Sequence, residues 1–194
     1  MLSQLINRTI TPEIRAINPE SRSIEFVIST ESIDSHRTVF KLDGWDLEAY
    51  RANPVVSYNH NALGPDPDTI IGTSELRIEN GELIAKLDLE EGNPISDKVL
   101  RKLKNGTLRA ASVGAIIEEG RWGDRSIGED PDVLYFTKHR LMEWSVVSIP
   151  SNSDAMKRSA GEEAVFKSIP KPETTPSAVS RDGIRARIFS LQTI

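Results

Sequence analysis

At 194 residues the chain is long enough for one domain of ordinary size with a substantial core, and too short for two large ones. Hydrophobic residues make up 38% and charged residues 27%, and a formal net charge of −5 gives no electrostatic footprint for nucleic acid. Cysteine is absent, which removes disulfides, thiolate metal sites and a cysteine nucleophile from consideration and suits a reducing cytosol.

The opening residues, MLSQLINRTITPE, hold no continuous apolar run before Arg8, and no stretch approaches the ~18 apolar residues of a membrane span. Neither secretion nor membrane insertion is expected, and residues 1–12 read as an N-terminal extension. EIRAIN and SIEFVIST, within 13–31, are short β-rich runs around PESR, whose Pro and Ser supply turn chemistry, so the domain opens with an antiparallel hairpin. DSHRTVFKLDGW reads as an irregular loop into a short helix over DLEAYRANP, with Asp46 as its cap and Pro54 restricting Asn53 at its end. VVSYNH follows as a strand with His60 at its end.

NALGPDPDT is a loop by its Gly, Pro and Asp content, and IIGTSELRIENGELIAKLDLE is a second hairpin split at Asn80-Gly81. Pro94 opens the clearest helix, in which Ile95, Val99, Leu100 and Leu103 share a face and Gly106 follows a lysine-rich last turn. TLRAASVGAIIEEG is a strand with small residues around Ser112, RWGDRSIGEDPD a long polar turn, and VLYFTKHRLMEWSVVSIP the most strongly β-patterned run, a central strand or two strands joined by a bend. The expected class is therefore mainly β with a few helices, an α+β arrangement. Beyond Ser159 the composition shifts to Ser, Thr, Pro and Lys, which sets a domain at 13–159 and a flexible tail at 160–194.

The chain has three histidines, so any histidine base is His36, His60 or His139. His36 lies in a polar loop, where a solvated imidazole is the plain reading. His60 stands where an apolar strand gives way to a Gly/Pro loop, a place from which a rigid scaffold can present a side chain to a cleft. Ser112, flanked by small residues, is a candidate nucleophile for which His60 could be the base, although a tightly packed core serine fits the same pattern. Glu143 interrupts an otherwise apolar run, and a buried carboxylate needs a partner. Regular alternation puts His139, Leu141, Glu143, Ser145 and Val147 on one face, with His139 and Glu143 about 13 Å apart, too far to hold one imidazole together. On charge grounds Glu143 suits the orienting role better. His36, Asp34, Asp43, His60, Asp66 and Asp68 could supply metal ligands, but no metal-binding spacing is present, so neither a metal nor another cofactor is expected. No phosphate loop occurs.

With these residues in view, the chain resembles the HK97-type caudovirus prohead serine proteases over roughly residues 12–158. The resemblance rests on the DSHRTVFKLDGW loop, Y-x-x-NPVV-x-x-NH ending at His60, G-x-L-x-A-x-SVG at 106–114 and E-x-SVVS-x-P-x-N at 143–152, in that order. It implies a Ser-His-acid triad of Ser112, His60 and Glu143 on a closed or partly closed antiparallel β-barrel similar to the herpesvirus assembly proteases. In those proteases the third member is a histidine, which keeps His139 as the alternative. Ala115 departs from the bulky aromatic expected after Gly114, which bears on pocket shape. Amides near Ser112, or Arg121 or Arg140, are the candidate oxyanion donors.

The resemblance further implies action in the host cytoplasm inside the assembling procapsid. Its implied substrates are scaffold protein, the scaffolding segment of the major capsid protein and the chain itself. Neither nucleic acid nor membrane is an expected partner, and homo-oligomer formation stays open. A catalytically silent assembly protein and an esterase are the rival readings, the latter weakened by the lack of a G-x-S-x-G elbow.

Overall fold

The computed structural model describes residues 4–10, 14–17, 21–34, 36–148 and 168–171. Ten strands and two α-helices follow one another as β1 (Gln4–Ile10), β2 (Ile14–Ile17), β3 (Ser23–Thr30), β4 (Thr38–Phe40), β5 (Trp45–Asp46), α1 (Glu48–Ala52), β6 (Val55–Tyr58), β7 (Ile70–Glu79), β8 (Glu82–Leu89), α2 (Pro94–Lys104), β9 (Ala110–Trp122) and β10 (Leu134–Val147). All ten strands belong to one sheet, ordered β1-β9-β10-β6-β7-β8-β3-β2, with β4 and β5 also paired to β10. The fold is mainly β with few helices, and the sheet curls into an open half-barrel: its end strands β1 and β2 do not pair with each other among the described residues.

Both expected hairpins form. β2 pairs with β3 and β7 with β8, all antiparallel, and Asn80 and Gly81 both take the positive φ that a tight two-residue turn requires. In α2, Asn93 accepts the amides of Ile95 and Ser96 at 2.9 and 3.0 Å as the N-cap, while Val99, Leu100 and Leu103 are buried. The core draws on β3, β6 to β10 and both helices, with Phe26, Val56, Ile71, Leu83, Phe136 and Trp144 fully buried.

Four expectations change. The sheet is mixed rather than antiparallel, because β4, β5 and β6 each run parallel to β10 and cover successive parts of one of its edges. Parallel partners need a long crossover, and the chain between β6 and β10 supplies it. The loop expected over 34–45 contains β4, a short 3-10 turn at Leu42–Gly44 and the start of β5. Gly44 is fixed there by close approach, since a Cβ would stand 2.5 Å from the Thr137 carbonyl oxygen. The stretch expected as an N-terminal extension holds β1, which pairs along β9 from Ile10 opposite Ala111 to Gln4 opposite Ile117.

The fourth concerns the expected tail. Ile169 is buried in the core cluster, its carbonyl accepts the Trp122 Nε1–H at 3.0 Å, and a Cβ on Gly120 would sit 2.9 Å from its Cδ1. Residues 168–171 therefore pack with the domain. The rest of 149–194 lies outside the described residues.

Candidate active site

Strand parity on β9 and β10 places the polar groups. On β9, Ala111, Val113, Ala115 and Ile117 enter the core, so Ser112 and Gly114 face the other way. On β10, His139 and Leu141 are buried on the core side, yet so are Trp144 and Val146. An irregularity between Leu141 and Glu143 reconciles the two: Met142 is the extra residue of a β-bulge, half-exposed, and it shifts the alternation by one. Glu143 and Ser145 consequently lie opposite Gly114 and Ser112 on the face away from the core, while His139 lies on the other face. The single face expected for His139 and Glu143 is therefore not formed. Trp144 anchors the segment from beneath, donating its Nε1–H to Ser74 Oγ at 2.8 Å and packing on Phe26.

His60 reaches this face from the other side of β10. β6 ends at Tyr58, and Asn59 and His60 both adopt the left-handed region, with φ of 56° and 57°. Such a conformation is uncommon for histidine and must be held by its surroundings. Asn59 N–H donates to the Val146 carbonyl at 2.9 Å, Asn59 Oδ1 accepts the Ser148 amide at 2.9 Å, and His60 N–H donates to Ser145 Oγ at 3.2 Å. The turn thus hangs on the end of β10 and projects the imidazole between β10 and β9.

His60 Nδ1 lies 2.5 Å from Glu143 Oε1 and Nε2 lies 2.7 Å from Ser112 Oγ. A carboxylate can only accept, so Nδ1 carries the proton and Nε2 offers its lone pair to the serine hydroxyl. The second carboxylate oxygen is held too: Ser145 Oγ donates to Glu143 Oε2 at 2.8 Å, and Ser57 Oγ is 2.6 Å from Ser145 Oγ. Chemically, this is a serine hydroxyl beside an oriented base whose positive charge, once formed, faces a carboxylate. The histidine and carboxylate side chains retain 23% and 16% exposure, so the site opens to solvent along their edge. Leu63, fully exposed in the loop after His60, and Met142 border it in sequence.

The other candidates stand elsewhere. His139 is fully buried, edge-on to Phe40 and Trp45 with ring centroids 4.9 and 4.2 Å away, and burial pushes its pKa down to about 3. Among the described residues neither of its ring nitrogens has a hydrogen-bond partner. His36 belongs to the turn at Asp34, whose carboxylate accepts its amide at 2.9 Å. Arg121 is committed to Glu129 and stacks on Tyr135, nine residues along β9 from Ser112, about 30 Å. Arg140 is bound to Glu118 at 2.6 Å. Among the described residues no group of three or more His, Asp or Glu side chains is arranged to hold a metal ion.

Sequence reading passed over Ser57 and Ser145. The signal was there, in two serines inside strongly apolar strand segments next to His60 and Glu143, but a buried serine usually bonds to a nearby carbonyl and reads as filler.

The model of a protein family described as caudovirus prohead serine protease matches residues 47–167, a stretch that contains His60, Ser112 and Glu143. Among solved structures, the bacteriophage T4 capsid assembly protease, gp21, is similar in fold, with a TM-score of 0.56 and 15% sequence identity over 76% of this chain and 98% of that one. No curated protein matches the sequence.

Proposed function

The chain belongs to the caudovirus prohead serine protease family, and from that premise we propose that it is an endopeptidase in which Ser112 is the nucleophile, His60 the base and Glu143 the orienting acid. The observation that carries the reading is the imidazole of His60, bridged at 2.7 Å to Ser112 Oγ and at 2.5 Å to Glu143 Oε1.

Ser112 Oγ attacks the scissile carbonyl carbon while His60 Nε2 takes its proton, giving a tetrahedral intermediate and an imidazolium whose Nδ1–H points at Glu143. Collapse breaks the C–N bond, and the same Nε2 proton passes to the leaving amine. Water then attacks the acyl-enzyme with His60 again as base, and Ser112 is regenerated. The imidazolium exists only in the charge-separated states, so the Glu143 carboxylate favours them over the resting state.

The substrates that suit this family are the scaffold protein and the scaffolding segment of the major capsid protein, with self-cleavage as a further event, all inside the procapsid. The kinship with herpesvirus assembly proteases implied by the sequence belongs to the same proposal, with Glu143 in place of their third histidine.

The test is co-expression with the neighbouring capsid and scaffold proteins, comparing the wild type with Ser112→Ala by the masses of the products. Shortened products are expected with the wild type alone. Identical masses in both would favour a silent assembly role and overturn the proposal.

A further inference from the structure

We infer that Ser145, backed by Ser57, is a positioning residue that fixes the Glu143 carboxylate and the His60 backbone together. This rests on the reading of Glu143 as the orienting acid.

The placement follows from register. Ser145 stands beside Ser57 on β6 and opposite Ser112 on β9, so the serines lie abreast across adjacent strands, and the bulge at Met142 brings Glu143 onto their face. Ser145 is 0% exposed and Ser57 1%, so their hydroxyls find partners in the protein rather than in bulk water.

Proton counting leaves one consistent arrangement. Ser145 Oγ has a carboxylate oxygen at 2.8 Å, a backbone N–H at 3.2 Å and the Ser57 hydroxyl at 2.6 Å. The carboxylate only accepts and the amide only donates, while a hydroxyl offers one proton and two lone pairs. Ser145 therefore donates to Glu143 Oε2 and accepts from His60 N–H and from Ser57. Its capacity is used in full, and every bond has one direction. Ser57 Oγ is itself 3.4 Å from Glu143 Oε2, too long to replace the contact without movement.

The consequence is mechanical. Glu143 is gripped at Oε1 by the imidazole and at Oε2 by Ser145, which fixes the carboxylate plane instead of letting it swing about its side-chain torsions. The same Ser145 oxygen restrains His60 at its left-handed backbone. Removing that oxygen unties acid and base at once, whereas removing the Ser57 hydroxyl loosens only the outer link.

A fluorophosphonate that phosphonylates an activated serine reads this without knowledge of the natural substrate, using the purified full chain. Ser145→Ala should slow labelling by about 10- to 100-fold at neutral pH, Ser57→Ala by less than about fivefold, and the double variant no more than Ser145→Ala alone. The low-field proton resonance of His60 Nδ1–H should weaken or move in Ser145→Ala and persist in Ser57→Ala, a signature that loss of packing alone would not change. If Ser145→Ala does not fold, Ser145→Cys, whose thiol is only a weak donor, is read by the same criteria. A folded Ser145 variant that labels within about twofold of wild type, with the resonance unmoved, overturns the inference. Labelling of Ser112→Ala at the wild-type rate would instead overturn the nucleophile assignment, and the resonance comparison would still decide the role of Ser145.

Discussion

The residue with the most to lose from a conservative change is Glu143. Replacing it with glutamine preserves shape, yet the amide can present its NH2 to His60 Nδ1, which favours the tautomer that carries its proton on the nitrogen facing Ser112. Glu143→Gln should therefore lower the rate of Ser112 phosphonylation or substrate cleavage by about 10³- to 10⁴-fold while leaving the melting temperature close to wild type. A loss under tenfold would demote the carboxylate to a structural partner of the three-serine row. At this scale the sequence pointed to His60 by its place at a strand end and to Glu143 as a carboxylate in an apolar run, whereas Ser112 equally fitted a packed core serine and stood out only through the order of the motifs. The choice of Glu143 over His139 rested on charge, because position alone does not say which of the two faces His60. That depends on strand parity, and a single inserted residue reverses parity for everything beyond it.

That inserted residue, Met142, makes a prediction at the level of the strand. With the bulge, His139 and Leu141 on one side of it and Trp144 and Val146 on the other all reach the core. Deleting Met142 would join Leu141 to Glu143, and plain alternation would then keep His139, Leu141, Trp144 and Val146 on the core face and Glu143 and Ser145 on the other, in unbroken register with β9. The deletion is therefore expected to fold cooperatively with a regular ladder, and Met142→Ser, at a half-exposed side chain, should shift stability by no more than about 0.5 kcal/mol in urea titrations. A deletion variant that fails to fold would mean that the local bend of the bulge, and not parity alone, is needed to seat β10 in the sheet. The second element-scale prediction concerns the segment at 168–171. Ile169→Ala removes a buried side chain from between Gly120 and Trp122 and should cost about 2 kcal/mol or more in the same titration, while a tail that only hangs from the domain predicts no change. Composition could not foresee this anchor, because one isoleucine between serine and proline carries no periodicity.

Across the whole molecule, class and hairpins followed from alternation and turn residues, while the parallel contacts of β4, β5 and β6 with β10 did not. Strands of two to four residues carry too little pattern to declare a partner, and only the assembled sheet selects one. The same assembly explains the expected response to acid. His139, edge-on to Phe40 and Trp45, has its pKa lowered by burial from 6.5 to about 3, although the charge of Glu118 opposes the shift. Below about pH 6.5 the unfolded chain takes up a proton at this residue that the folded chain refuses, so stability is full above that pH and falls as the pH drops toward 3, by up to about 1.4 kcal/mol per unit. Glu31, Glu118, Glu129, Asp124 and Asp130 are held below their ordinary values by partners, and their contribution is lost only once the pH passes below about 4.5. Between pH 7 and pH 5 the wild type should therefore lose about 2 kcal/mol more unfolding free energy than a variant without this imidazole. His139→Leu, which fills a similar volume without a titrating group, should show that smaller loss while the carboxylate-driven decline at lower pH remains. Equal slopes in the two proteins would show that His139 is protonated in the folded state. Because His139 lies on the face opposite Ser112 and His60, the same substitution should leave the rate of Ser112 phosphonylation at pH 7 close to wild type, and a large loss there would show that the two faces are coupled.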